Sequence, residues 1–75
     1  MFKHRKDARQ RLKGATLEEY NELVRKANLT PTQKRLVDLH ILRAHSIVNI
    51  SLEIFMGETT IRKHLAEVYD KVAKL

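Results

Sequence analysis

The amino-acid sequence predicts an all-α domain of four helices, preceded by a basic N-terminal arm. Apolar residues recur at helical spacing along most of the chain after position 15, and threonine capping boxes stand before two of the segments. The helices are expected at about 16–28, 31–44, 46–55 and 58–73. With 75 residues the chain is long enough for one small domain, which we place at 15–75.

Positions 1–14 are predicted to form a flexible basic arm. Within them, six basic residues stand against the single acidic residue Asp7. Their spacing builds no apolar stripe, so disorder or a frayed helix is expected rather than a packed element. The arm could be a solubilising tail or could follow the phosphates of a nucleic acid, and attachment to an anionic membrane lacks an apolar anchor.

The first two predicted helices begin at capping boxes. Thr16 with Glu19 opens the first helix, and Thr30 with Gln33 opens the second, where Pro31 occupies the first helical position. The apolar stripe of the first helix is expected to comprise Leu17, Tyr20, Leu23, Val24 and Ala27. The second helix is expected to turn Leu36, Val37, His40 and Ile41 inward.

The last two predicted helices flank a tight turn at Gly57. The segment from Ile47 to Phe55 is apolar almost all round, which requires cover from the 16–28 helix or from a partner. In the final helix Ile61, Leu65, Val68 and Val72 form one core-facing stripe. Two helices around a glycine turn are typical of a helix-turn-helix motif.

The chain from Leu29 to Val72 resembles the LuxR-type (GerE-type) helix-turn-helix of bacterial response regulators. A more distant resemblance is to the C-terminal helix-turn-helix region of sigma factors. The most specific part is the run from Thr60 to Leu65, with Tyr69 and Lys71 at the expected offsets. The other matching residues are Leu29-Thr30-Pro31, Ser46, Ile50, Ile54, Val68 and Val72.

The resemblance implies a small bacterial or phage transcription regulator that binds double-stranded DNA. The last helix would enter the major groove, where an arginine can bridge two acceptors on a guanine. The residues expected at the bases are Arg62, Lys63, Ala66 and Glu67. Those expected at phosphates are Thr59, Thr60, His64 and Lys71, together with Lys3, Arg5, Lys6, Arg9, Arg11 and Lys13 of the arm.

Two observations favour an alternative, a protein-interaction module. Ile47, Val48 and Leu52 form an apolar surface where the family usually has polar residues, and the last helix carries Glu58, Glu67 and Asp70, which dilute its positive charge. This apolar surface would bind RNA polymerase or a host regulatory protein, or would join two copies in a homodimer. A scaffold by itself does not fix its function.

Other classes of function find little support in the sequence. There is no cysteine, the histidines lack metal-ligand spacing, and no nucleophile–base pair or glycine-rich phosphate loop occurs. We therefore expect no metal, no cofactor and no enzymatic activity. No apolar run approaches the ~20 residues of a membrane span, so a soluble, cytoplasmic protein is expected.

Overall fold

The structure, a computed structural model, describes the backbone of residues 3–75 and the side chains of residues 4–75. Its α-helices are α1 (Lys3–Gly14), α2 (Leu17–Ala27), α3 (Pro31–Val37), α4 (Ile47–Ile54) and α5 (Glu58–Ala73). A π-helical segment, Asp38–Leu42, continues α3. No β-strand occurs within residues 3–75, which confirms the all-α prediction. None of the helices in this range is long and apolar enough to cross a membrane.

The N-terminal segment is a packed helix, so the prediction of a flexible arm and a four-helix count is wrong. Ala8 and Leu12 of α1 are 1% and 2% exposed and belong to the hydrophobic core. They lie four residues apart, on one face of the helix, and α1 packs chiefly against α5. Arg5 lies on the same face and is half-buried, and the stem of such a long basic side chain also covers apolar surface.

Polar contacts fix α1 along α5. The Arg5 guanidinium donates from Nε and Nη2 to the two carboxylate oxygens of Asp70, at 2.8 and 3.0 Å. His4 Nε2 lies 2.9 Å from the same carboxylate. Further along, Arg11 Nη1 donates to the carbonyl oxygen of Val72 at 3.4 Å, near the C-terminal end of α5, where a cation is favoured by the helix dipole.

The core forms around α5. Its predicted stripe is confirmed, since Ile61, Leu65, Val68 and Val72 are each at most 3% exposed. Both predicted capping boxes are present, at Thr16 with Glu19 and at Thr30 with Gln33. The other large buried side chains are Tyr20, Val24, Leu36, Val37, Leu39 and Ile50. Leu17, predicted to face inward, is 64% exposed, because it stands in the first turn of α2, ahead of the buried Tyr20.

The predicted helix 31–44 changes its hydrogen-bond pattern halfway. After Val37 the backbone widens into the π-helical segment, with Arg43 N donating to Asp38 O at 3.1 Å. The chain then turns through Ala44, whose φ of 55° lies in the left-handed region. His40 Nδ1 donates to His45 O at 2.9 Å and holds this turn closed without a glycine.

A buried tyrosine ties α2 to this π-helical segment. The hydroxyl of Tyr20 donates to Asp38 Oδ1 at 2.7 Å, and Lys34 Nζ donates to the other oxygen of the same carboxylate at 2.7 Å. Burial, followed by the hydrogen bond to Asp38, raises the pKa of Tyr20 above its ordinary range. The core position expected for Tyr20 is thus confirmed, and its polar end is satisfied.

Candidate nucleic-acid interface

The N-terminal half of α5 presents a polar surface. Thr59, Thr60, Arg62 and Lys63 are all exposed. The N-cap residue, Gly57, supplies no side-chain hydrogen bond, so no cap side chain occupies the free N–H groups of the first turn. Such a helix end attracts anions, and the hydroxyls and cations beside it add to that attraction.

The other two residues expected at the bases have neighbours of their own. Ala66 is half-buried, and Glu67, although exposed, accepts a hydrogen bond at Oε2 from Gln33 Nε2 at 2.9 Å. Gln33 is buried and also accepts at Oε1 from Lys71 Nζ at 2.8 Å. One glutamine of α3 therefore joins two α5 residues, one predicted to contact bases and one predicted to contact phosphate, in a bridge between helices.

His64 occupies an intermediate position. The side chain is half-buried, and its Nδ1 is buried with no hydrogen-bond partner among the described residues. It lies seven residues before Lys71, on the same side of α5. Because His64 is half-buried, the exposed surface in this part of α5 is formed by Thr59, Arg62 and Lys63.

The cations of α1 do not form one surface. Arg5 is half-buried on Asp70, Arg11 reaches the Val72 carbonyl, and Lys13 is exposed near the end of the helix. Lys6 and Arg9, which are three residues apart and share a face, line a cleft beside α5. The side chain of Lys3 lies outside the described residues.

This cleft, which we call the α1–α5 cleft, brings basic residues from two separate segments together. It has a volume of about 460 Å³ and is bounded by α1, by the π-helical segment, by the start of α4 and by α5. Its described lining comprises Arg5, Lys6, Arg9, His40, Ile47, Arg62, Leu65, Ala66 and Tyr69, with no acidic residue among them. The cleft therefore brings the basic side chains of Lys6 and Arg9 to the same surface as Arg62 of α5.

The predicted partner surface divides into two parts. Ile47 is half-buried and lines the α1–α5 cleft, whereas Val48 and Leu52 are 50% and 70% exposed. The helix α2 therefore does not cover them. They lie on one stripe with Phe55, which is 94% exposed and has a φ of 55°. A left-handed helix end favours glycine or asparagine, so folding alone does not account for a phenylalanine there.

Asp70 should make stability depend on pH through its contact with α1. The hydrogen bond from Arg5 lowers the pKa of Asp70 below its ordinary value of 3.8; burial opposes this effect and His4 adds to it. A carboxyl with a depressed pKa stabilises the folded state above its ordinary pKa, and the stabilisation is lost as pH falls through the lowered value. We expect Asp70→Asn to lower the free energy of unfolding at neutral pH, with the difference closing in acid, as measured by urea denaturation across a pH series.

Asp7→Asn is the matched control, because Asp7 is an exposed carboxylate on α1 without an ion pair among the described residues. It should change stability little at any pH. Equal effects of the two substitutions at neutral pH would contradict a specific contribution of the Arg5–Asp70 contact.

Sequence reasoning missed the α1–α5 cleft. The sequence places His40 in the core and Tyr69 in the family pattern, and its basic N-terminal run gives little indication that α1 folds against α5. The spacing of Ala8 and Leu12, with no glycine or proline between Met1 and Lys13, was the available signal for a packed helix.

No group of three or more histidine, aspartate or glutamate side chains in the described part of the chain could hold a metal ion.

No known protein family, curated protein or solved structure matches this chain. A functional assignment therefore rests on the chemistry of the surfaces described above.

Proposed function

We propose that the protein is a small, sequence-specific DNA-binding protein that regulates transcription. In this proposal α4 and α5 form a helix-turn-helix, and the N-terminal half of α5 enters the major groove. The observation that carries the proposal is the convergence of Lys6 and Arg9 of α1 with Arg62 of α5 on one cleft without an acidic lining residue. A surface of this kind attracts the phosphate backbone and sets the protein's orientation on the duplex.

The positions of the basic residues indicate which of them would contact phosphates and which would contact bases. The major groove, about 12 Å wide, admits a single α-helix, so α1, packed beside α5, would lie over the rim of the groove. Lys6 and Arg9 would then contact phosphates. Arg62 and Lys63, exposed on α5, would reach base edges, whereas Glu67 and Lys71 would chiefly hold α5 on α3 through Gln33.

Arg62→Ala tests the base-reading role. We expect the substitution to relax sequence preference, because a bidentate arginine–guanine contact contributes about 1 to 3 kcal/mol of discrimination. The measurement is selection of bound duplexes from a randomised pool, followed by anisotropy titrations of the enriched and scrambled duplexes. Arg35→Ala is the matched control, since Arg35 is an exposed arginine on α3, outside the cleft.

In this experiment the control should keep the enriched motif, and the Arg62 variant should show an affinity difference between enriched and scrambled DNA that is smaller by about 1 to 3 kcal/mol. Equal losses of affinity on both duplexes for Arg62→Ala would count against base reading. An inverted repeat in the enriched motif would indicate that two copies bind together.

A second candidate function is a protein-interaction module, which the stripe of Val48, Leu52 and Phe55 favours. These side chains form an exposed apolar row along α4 and its C-terminal end, and such rows are typical of binding surfaces. RNA polymerase, a host regulatory protein or a second copy of the chain would suit it. Weak binding to every duplex in the selection, fading as salt rises, would favour this function over sequence-specific DNA binding.

A further inference from the structure

The α1–α5 cleft has the dimensions and composition of a small-molecule site. Its volume, about 460 Å³, falls within the range of roughly 300 to 1,000 Å³ that is usual for ligand pockets. Such pockets combine an apolar lining with a few placed polar groups. Here Ile47, Leu65 and Ala66 supply the apolar part, while the cations stand on the α1 and α5 sides.

The basic groups of the cleft are available to an anion. Within the described part of the chain, Lys6 and Arg9 form no ion pair with a carboxylate, and the contact of Arg62 with Glu58 is long, at 3.5 Å. Arg5 differs, since it is engaged by Asp70. The Lys6, Arg9 and Arg62 cations would therefore gain from a negatively charged group between them.

A buried hydroxyl adds a more specific feature. Tyr69 lines the cleft, and its hydroxyl oxygen is buried with no hydrogen-bond partner among the described residues. A buried polar group without a partner is costly, and such groups are uncommon in native structures. Burial raises the pKa of Tyr69, against the opposing charge of Arg9, so this group remains a hydrogen-bond donor at neutral pH.

The apolar lining distinguishes between types of anion. A phosphodiester backbone gains little from contact with Ile47, Leu65 and Ala66, because its outer surface is polar and charged. An organic acid with a hydrocarbon or aromatic body would bury that body on these residues and place its anionic group among the cations. We propose that the α1–α5 cleft binds a small amphipathic organic anion, with its head between Arg9 and Arg62 and its apolar body against Ile47, Leu65 and Ala66.

One consequence concerns regulation and rests on the proposed function. Because the same arginines would serve the DNA-facing edge, a bound organic anion would neutralise part of that edge and lower DNA affinity. The binding proposal itself does not depend on this coupling.

Octanoate is a suitable probe, and its binding can be followed by amide chemical shifts of the isotope-labelled protein in the absence of DNA. We expect saturable shifts at Ile47, Ala66 and Tyr69. Acetate, which lacks the tail, and octanol, which lacks the charge, should each bind about tenfold more weakly or worse. Since no DNA is present, failure of this proposal and failure of DNA binding are distinguishable.

Variants locate the site. Arg9→Gln and Tyr69→Phe, which removes only the hydroxyl, should each weaken octanoate binding about five- to tenfold, whereas Leu52→Ser on the exposed stripe should leave it unchanged. Shifts centred on Val48 and Leu52, equal binding of acetate, or no saturable shift would overturn the proposal. So would a short DNA duplex that perturbs the cleft residues when octanoate does not, because the cleft would then be a phosphate-backbone site.

Discussion

Leu12→Ala should destabilise the protein by about 2 to 5 kcal/mol, the usual loss when a fully buried leucine is truncated. Leu12 is 2% exposed and anchors α1 in the core beside α5. Small domains unfold with about 5 to 15 kcal/mol, so this loss is a large fraction of the total. The measurement is urea denaturation followed by far-ultraviolet circular dichroism. The unfolding midpoint and the slope of unfolding free energy against urea concentration are compared between the variant and the unsubstituted protein.

Leu17→Ala provides the matched control for that experiment. It removes the same atoms from a helix of similar length, but Leu17 is 64% exposed, so stability should change by no more than about 0.5 kcal/mol. If both variants lost equally little free energy of unfolding, α1 would not be packed against α5 in solution. The chain would then behave as a domain with a flexible basic tail. A decrease, for Leu12→Ala alone, in the slope of unfolding free energy against urea concentration would instead indicate that α1 is released while the remaining helices stay folded.

The helix boundaries after position 15 could be predicted because their signals are local. The side-chain oxygens of Thr16 and Thr30 each accept a hydrogen bond from the backbone N–H three residues on. The side chains of Glu19 and Gln33 in turn accept a hydrogen bond from the backbone N–H of the paired threonine. A pattern of this kind depends on four consecutive residues and not on the rest of the fold. The stripe of α5 was equally clear because a single helix face carries four large apolar side chains.

The packing of α1 could not be predicted with the same certainty because it depends on the surface of α5. Ala8 contributes little to any apolar pattern, which leaves Leu12 as the one large buried side chain among the described side chains of α1. The position of α1 is fixed by polar contacts with α5, since Asp70 accepts hydrogen bonds from Arg5, which lies 65 residues away in sequence. A high density of basic residues, taken alone, looks the same in a solvated tail and in a docked helix.

In the candidate site too, features that depend on local sequence could be predicted, whereas contacts between distant residues could not. Arg62 and Lys63 were expected to be exposed on α5, and they are. Nothing in the sequence near Glu67 or Lys71 indicates that both hydrogen-bond to Gln33, 34 and 38 residues away. The left-handed Ala44 and the π-helical turn before it likewise lack a local signal, since local propensity favours a continued α-helix there.

Neutralising Lys6 and Arg9 together should lower affinity for all DNA sequences by roughly 10- to 100-fold near 0.1 M salt, if α1 lies on the rim of the major groove as proposed. Each phosphate contact contributes about 0.9 to the slope of log affinity against log salt. The double variant Lys6→Gln/Arg9→Gln should therefore reduce that slope by about 2. The measurement is anisotropy on enriched and scrambled duplexes across a salt series, in which the ratio between the two duplexes should stay almost constant.

The double variant Lys26→Gln/Arg35→Gln removes the same charge from α2 and α3, outside the α1–α5 cleft. It separates a specific contact from the general field of a chain with a net charge of +6, because a distant charge acts only through a screened potential. We expect the control to retain most of the salt slope. If both double variants lost affinity and slope equally, the DNA would be held by net charge alone, and the juxtaposition of α1 with Arg62 would have no part in placing the protein on the duplex.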